Sequence, residues 1–232
     1  TVKAVIKKQG ISLEGASAND THKTLKTIIL QQKGCRSYYD ALLETTPPRL
    51  CDKWNVLSSQ NIVWKSVFEN LRRIKEIKLK WFQMRILHRV LATNIILKRI
   101  GVVESDTCTF CGDERESIEH VLFNCTWAHE FWNQLQKLIN DKCPHAHNVR
   151  LTEPLVLLGH DKNINTDYTL QLILLVAKFF VYKNRINKKK PELCHFLNEL
   201  QRRLEVEKCA AFVEMRYSEV IIQWGLYKEL FN

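Results

Sequence analysis

Glycine and proline are scarce in this chain of 232 residues, at seven and five. Sandwiches and barrels of many short strands need those residues for their turns, so the shortage argues for helices. Long apolar runs are missing too. The most apolar stretch, Leu172 to Ala177, ends at Lys178, far short of the ~18–20 residues that span a bilayer. No h-region of a secretory signal stands out. Glycine is too sparse for a Walker A loop or a dinucleotide fingerprint. Two zinc chemistries also fall away. A metalloprotease helix beginning at His129-Glu130 needs a second His where Asn133 stands. A deaminase needs His-x-Glu upstream and Pro before its cysteine pair, and here Thr107 precedes Cys108.

Positive charge is in excess. The formal net charge is +10 and the pI about 9.2, the electrostatic footprint of a protein that meets phosphates or an anionic surface. With no membrane span, nucleic acid is the expected partner. Hydrophobic residues make up 45%, enough to bury a core. The eight cysteines are mostly scattered and fit a reducing compartment better than a disulfide framework. The chain begins at Thr1 and is read as a piece of a longer open reading frame.

Periodicity predicts an all-α architecture: a helical domain with an inserted small zinc knuckle and little or no β structure. Residues 1–60 read as an N-terminal helical or linker segment, with a loop over 10–20 and short helices around 22–32 and 38–43. Residues 61–104 read as basic amphipathic helices, 105–143 as the knuckle and its following helix, and 144–232 as a C-terminal helical region. Ile74, Ile77, Trp81, Met84, Leu87 and Leu91 recur every three or four residues, the spacing of an amphipathic helix. With Leu79, Ile86 and Val90 on the far side of its basic stripe, the helix is apolar over most of its circumference and is expected to be buried. Further helices are expected over 127–141 and over 166–187, the latter capped by Thr166 or Asp167. Residues 152–159 read as a short strand or extended loop. Pro191 suits the first turn of a final helix or helix pair, with Phe196, Leu200, Leu204 and Phe212 inward.

The sharpest motif is Cys108-x2-Cys111-x8-His120-x4-Cys125. Two thiolates two residues apart form a turn whose amides face the sulfurs, and a His/Cys pair further on closes a tetrahedron around Zn²⁺. Gly112 supplies the positive φ that the turn past the second ligand demands. Three sulfurs and one imidazole leave no open position, which points to a structural metal site. His129 is the one other side chain placed to compete as a ligand. Cys143, His145 and His147 read as bystanders.

Charge placement is the second signal. Nine Lys or Arg lie between Arg72 and Arg99 against the single acid Glu76. Within them Lys75, Lys78, Arg85 and Arg89 form one helical stripe, and Lys98 and Arg99 follow. A second acid-free cluster comprises Lys178, Lys183, Arg185, Lys188, Lys189 and Lys190. Both are candidates for phosphate contact. Phe110, between the first two cysteines, is the candidate on which an unpaired base stacks. Phe131 and Trp132 share a face with Leu135 and Leu138 and read as core.

Several stretches resemble the region around the zinc-binding motif in reverse transcriptases of non-LTR, LINE-type retrotransposons. They are Lys80 to Arg89, Ala92-Thr93-Asn94, Cys108-Thr-Phe-Cys111, Glu116 to His120, Asn124-Cys125, Phe131-Trp132, Leu157-Leu158-Gly159 and Leu174 to Lys178, with Trp224 near the end. The resemblance implies the C-terminal region of a polyprotein whose upstream part is a polymerase. It also implies a role in gripping template RNA and target DNA during target-primed reverse transcription, in nucleus and cytoplasm. Polymerase catalysis needs a Tyr-x-Asp-Asp loop. Tyr38-Tyr39-Asp40-Ala41 lacks the last Asp, and no Asp-Asp pair occurs. The expectation is therefore a zinc- and nucleic-acid-binding region, RNA preferred, that is not itself an enzyme. A docking module that braces the polymerase, or a decayed fragment that keeps only its fold, is the alternative.

Overall fold

Breaks in the apolar period set the helix ends. Trp64–Arg73 forms α1, and the chain then turns extended at Ile74 before α2, Ile77–Leu87. Arg89 takes a left-handed φ of 57° and ends α2. Thr93 then leads into α3, Asn94–Arg99. A π-helical turn, His120–Asn124, runs into α4, Thr126–Lys142. Next come α5, Glu153–Leu158, and α6, Tyr168–Ile186. Finally α7, Leu193–Val213, and α8, Tyr217–Gly225, precede a 3-10 turn at Lys228–Phe231.

This computed structural model describes Trp54 and residues 62–231, apart from 144, 145, 147, 162, 163 and 165. All of these belong to one unit, Trp54–Asn232. The helices expected over 22–32 and 38–43, and the loop over 10–20, lie outside the described residues. Among the described residues the fold is all-α, and the only β pairing is two isolated bridges, Thr107 with Arg115 and Asp161 with Ile164. No described helix is long and apolar enough to cross a membrane.

Helix α6 is the core of the bundle. Its Ile173, Ala177 and Val181 are fully buried, and Phe179 meets Phe82 of α2 edge-on at 5.1 Å. Asp167 caps α6 by accepting a hydrogen bond from Leu170 N at 2.8 Å. Phe131 and Trp132 are buried in α4; Phe131 packs on Phe180 of α6 and Phe196 of α7.

Several local expectations fail for tertiary reasons. Residues 152–159 are not extended: Thr152 caps α5, and Gly159 ends it at φ 72°. The helix expected through Ile74–Leu91 is shorter, Ile77–Leu87, with Ile74–Glu76 extended ahead of it and Arg89 ending it. Of the positions around α2, Leu79, Phe82, Gln83, Ile86 and Leu87 face the core. Ile77 and Trp81, expected inside, are 69% and 61% exposed. Phe212, also expected inside, is exposed at the end of α7. Pro191 lies ahead of the Glu192 N-cap of α7 rather than in its first turn.

Lys178, expected in a phosphate-facing cluster, is buried instead. Its Nζ donates to Gln83 Oε1 at 2.7 Å and to the carbonyls of Val156 and Leu157 at 2.7 and 2.9 Å. Those carbonyls close the C-terminal turn of α5, where the helix dipole favours a cation. Gln83 Nε2 donates to the same Leu157 carbonyl at 2.9 Å. Burial pushes the Lys178 ammonium down to about 7.

Candidate metal centre

The cysteine turn is held by its own backbone before any metal is considered. Cys108 N donates to Glu114 O at 2.7 Å, and Gly112 N donates to Cys108 O at 2.9 Å. The turn closes through Gly112 at φ 77°, the left-handed geometry that glycine adopts without steric cost. The other two ligands come from the π turn. Cys125 N donates to His120 O across five residues at 2.6 Å, and Cys125 is also the N-cap of α4. A π turn is wider than an α turn, so the side chains at its two ends return to the same side. Trp132 of α4 anchors it, donating from Nε1 to Leu122 O at 2.7 Å.

The structure brings Cys108, Cys111, His120 and Cys125 together, with all four ligand atoms within 4.8 Å of one another. Cys108 Sγ lies 3.8 Å from Cys125 Sγ, and Cys111 Sγ lies 3.4 Å from His120 Nε2. A tetrahedral ion about 2.3 Å from sulfur and about 2.0 Å from nitrogen requires edges of roughly 3.5–3.8 Å. These two edges are close to those values. His120 Nε2 faces the sulfurs, and the Glu114 carboxylate lies 3.0 Å from Nδ1, although not aligned for a full hydrogen bond. A carboxylate behind the far nitrogen fixes the tautomer and makes the near one a better donor.

Backbone N–H groups favour thiolate here. Phe110 N donates to Cys108 Sγ at 3.4 Å. The Cys125 thiol is held down at about 5, first by the hydrogen bond from Cys108, with the α4 amides of Trp127 and Ala128 also acting. Neither amide makes a full capping hydrogen bond. The two sulfurs titrate as a pair: the Cys108–Cys125 contact favours one thiolate and opposes a second. Two sulfurs crowded in this way gain from a cation between them.

A buried ionic network locks the turn to α6. Glu116 is fully buried. Its Oε1 accepts from Asn94 N at 2.8 Å and from Arg185 Nε and Nη2 at 3.0 and 2.5 Å. Its Oε2 accepts from Thr109 N at 2.7 Å, inside the cysteine turn. Asn94 completes the set: Oδ1 accepts from Arg185 Nη2 at 2.7 Å, and Nδ2 donates to Thr107 O at 2.6 Å. On the outer side Asp106 bridges Lys98 at 2.9 Å and Arg115 at 2.7 Å, and these two cations hold its carboxyl down at about 2. Sequence reasoning missed Glu114, Glu116 and Asn94 and placed Arg185 on the surface. The available signal was the place of Asn94 and Glu116 in the resembling stretches, which reports similarity but not a partner.

The other predicted site residues separate into groups. Phe110 is 5% exposed and stacks on Trp127 at 5.4 Å, so its ring has no free face for a base. Arg89 pairs with Glu119 and lies over the Trp54 ring. Lys98 is engaged by Asp106, and Lys190 by Glu130 at 2.7 Å. Lys75, Lys78, Arg85, Arg99, Lys188 and Lys189 are exposed. His129 and Cys143 stand outside the four-ligand cluster. Glu192, Cys194 and His195 form a second, exposed trio, but it sits at the positive N-terminus of α7 behind three lysines, a poor field for a cation.

Comparison with known proteins agrees with this geometry. Residues 34–132 match the family described as zinc-binding in reverse transcriptase. No curated protein matches the chain.

Proposed function

We propose that this chain is the non-catalytic, zinc-binding C-terminal region of a LINE-type reverse transcriptase polyprotein, where it grips nucleic acid, RNA in preference, during target-primed reverse transcription. The observation that carries the reading is the convergence of three sulfurs and one imidazole nitrogen within 4.8 Å, in a stretch similar to zinc-binding regions of reverse transcriptase. Zn²⁺ held by Cys108, Cys111, His120 and Cys125 has four protein ligands and no place for water or substrate, which suits a structural role. It fastens the turn that α3, α4 and α6 surround. The net charge of +10 and the exposed cations Lys75, Lys78, Arg85, Arg99, Lys188 and Lys189 support phosphate binding. The polymerase of the same polyprotein is the implied neighbour.

Metal analysis of purified protein tests the first half: one zinc per chain is expected, and Cys108→Ser should lose it. A gel-shift titration tests the second. Affinity for RNA should fall steeply with salt, and failure of the wild-type chain to bind any nucleic acid removes that half. A second reading, a module that docks on the polymerase, draws on Phe212, Val213, Met215 and Ile222, each more than two-thirds exposed around the α7–α8 junction.

A further inference from the structure

With Phe110 buried, the base-stacking role needs another side chain, and α2 offers one. Trp81 is 61% exposed, unusual for the largest apolar side chain on a helix whose opposite face is core. Lys78, Trp81 and Arg85 stand at i, i+3 and i+7, which places them on one side of the helix over about 10 Å of its length. Lys78 and Arg85 are exposed, and neither makes an ion pair among the described residues.

The packing of α2 on α6 adds to this surface. Lys78 Nζ lies 5.6 Å from the Phe179 ring, and Lys183 Nζ of α6 lies 6.0 Å from that same ring. Two cations from different helices therefore converge on one aromatic. Arg85 acts on the Tyr182 hydroxyl from α2, so α2 and α6 both contribute charge along one seam. Glu199, the acid that feels Lys183, is itself held by Arg202 and Arg203. Lys78, Arg85 and Lys183 make no ion pair among the described residues, and Trp81 shares its side of α2 with the first two.

We propose that Trp81 is a stacking platform for an unpaired base of single-stranded nucleic acid, and that Lys78, Lys183 and Arg85 hold the phosphates on either side. This rests on the nucleic-acid reading above and deepens it. An indole accepts any base, because every base has a π face, while the cations fix the backbone. A duplex has its bases stacked already and gains only the charge term.

The test uses the full zinc-loaded chain and fluorescence anisotropy with labelled oligo(U), oligo(dT) and a mixed-sequence duplex of equal length. Trp81→Ala should weaken both single strands about 5- to 100-fold, with duplex binding little changed. Trp81→Phe should keep most of the affinity. Lys78→Ala and Lys183→Ala should each lower the salt slope for single strands by about 0.7. The ratio of oligo(U) to oligo(dT) affinity identifies RNA or DNA as the source of the base. Unchanged single-strand affinity in Trp81→Ala overturns this proposal alone, as does equal loss on duplex and single strands. If the wild-type chain binds none of the three probes, the nucleic-acid reading falls as well.

Discussion

Replacing Glu116 by Gln tests how the cysteine turn is tied to the bundle. The carboxylate receives four N–H groups, three on Oε1 and one on Oε2. A carboxamide has one acceptor oxygen, so its NH2 must face either Thr109 N–H or the Asn94 and Arg185 donors. It also leaves the Arg185 guanidinium, whose side chain is 8% exposed, with no counter-charge. Removing one member of a buried pair costs about 3–5 kcal/mol, a large part of the ~5–15 kcal/mol that holds a domain together. Urea unfolding at fixed excess zinc should register that loss for Glu116→Gln and a similar one for Arg185→Met. The double variant should lose clearly less than the sum, because neither charge is then stranded. Zinc affinity should fall in Glu116→Gln as well, since Thr109 lies between Cys108 and Cys111. Single variants that each cost under ~1 kcal/mol, in the manner of solvated pairs, and add without coupling, would refute the reasoning.

Lys178 gives a pH signature. Its folded-state value, about 7, lies below that of a free lysine, so between these values the unfolded chain holds more protons. Stability should therefore climb from about pH 7 towards pH 10, by at most ~1.4 kcal/mol per unit from this group. The wild-type minus Lys178→Met difference in unfolding free energy should carry that slope; a flat difference rejects it. Gly112→Ala forces an L-residue into a left-handed turn whose Cβ meets nothing, so strain alone should cost about 1–2 kcal/mol, read by unfolding of the zinc form. A chelator should lower the unfolding midpoint of the wild type and leave Cys108→Ser unmoved.

What was legible in the sequence follows from how local each signal is. The four metal ligands lie within eighteen residues, so spacing alone carried them, and Gly112 and the Asp167 cap were readable for the same reason. Helical content followed from apolar period and sparse turn residues. The fates of Lys178 and Arg185 were not readable, because a cation is buried or exposed according to partners elsewhere in the chain. Arg185 meets Glu116 across 69 positions and Lys178 meets Gln83 across 95. Trp81 was misplaced because α2 is apolar around most of its circumference, and which apolar side meets α6 is set by packing partners elsewhere in the chain rather than by the period. Phe110 sits in a polar turn, where nothing in the neighbouring residues foretold the Trp127 ring beneath it.

The π turn at His120–Asn124 also limits how this segment can change over evolutionary time. Each α-helical residue advances about 100° around the axis, so adding one position there would swing Cys125 away from His120 by roughly a quarter circle. Deleting one would instead tighten the π turn to an α turn with its ends still on one face. Point substitutions at the outward-facing Asn124 leave that alignment intact. Related sequences that keep the centre should therefore vary at the position of Asn124 while holding the buried Val121 and Leu122 apolar, and should carry no insertion between the two ligands.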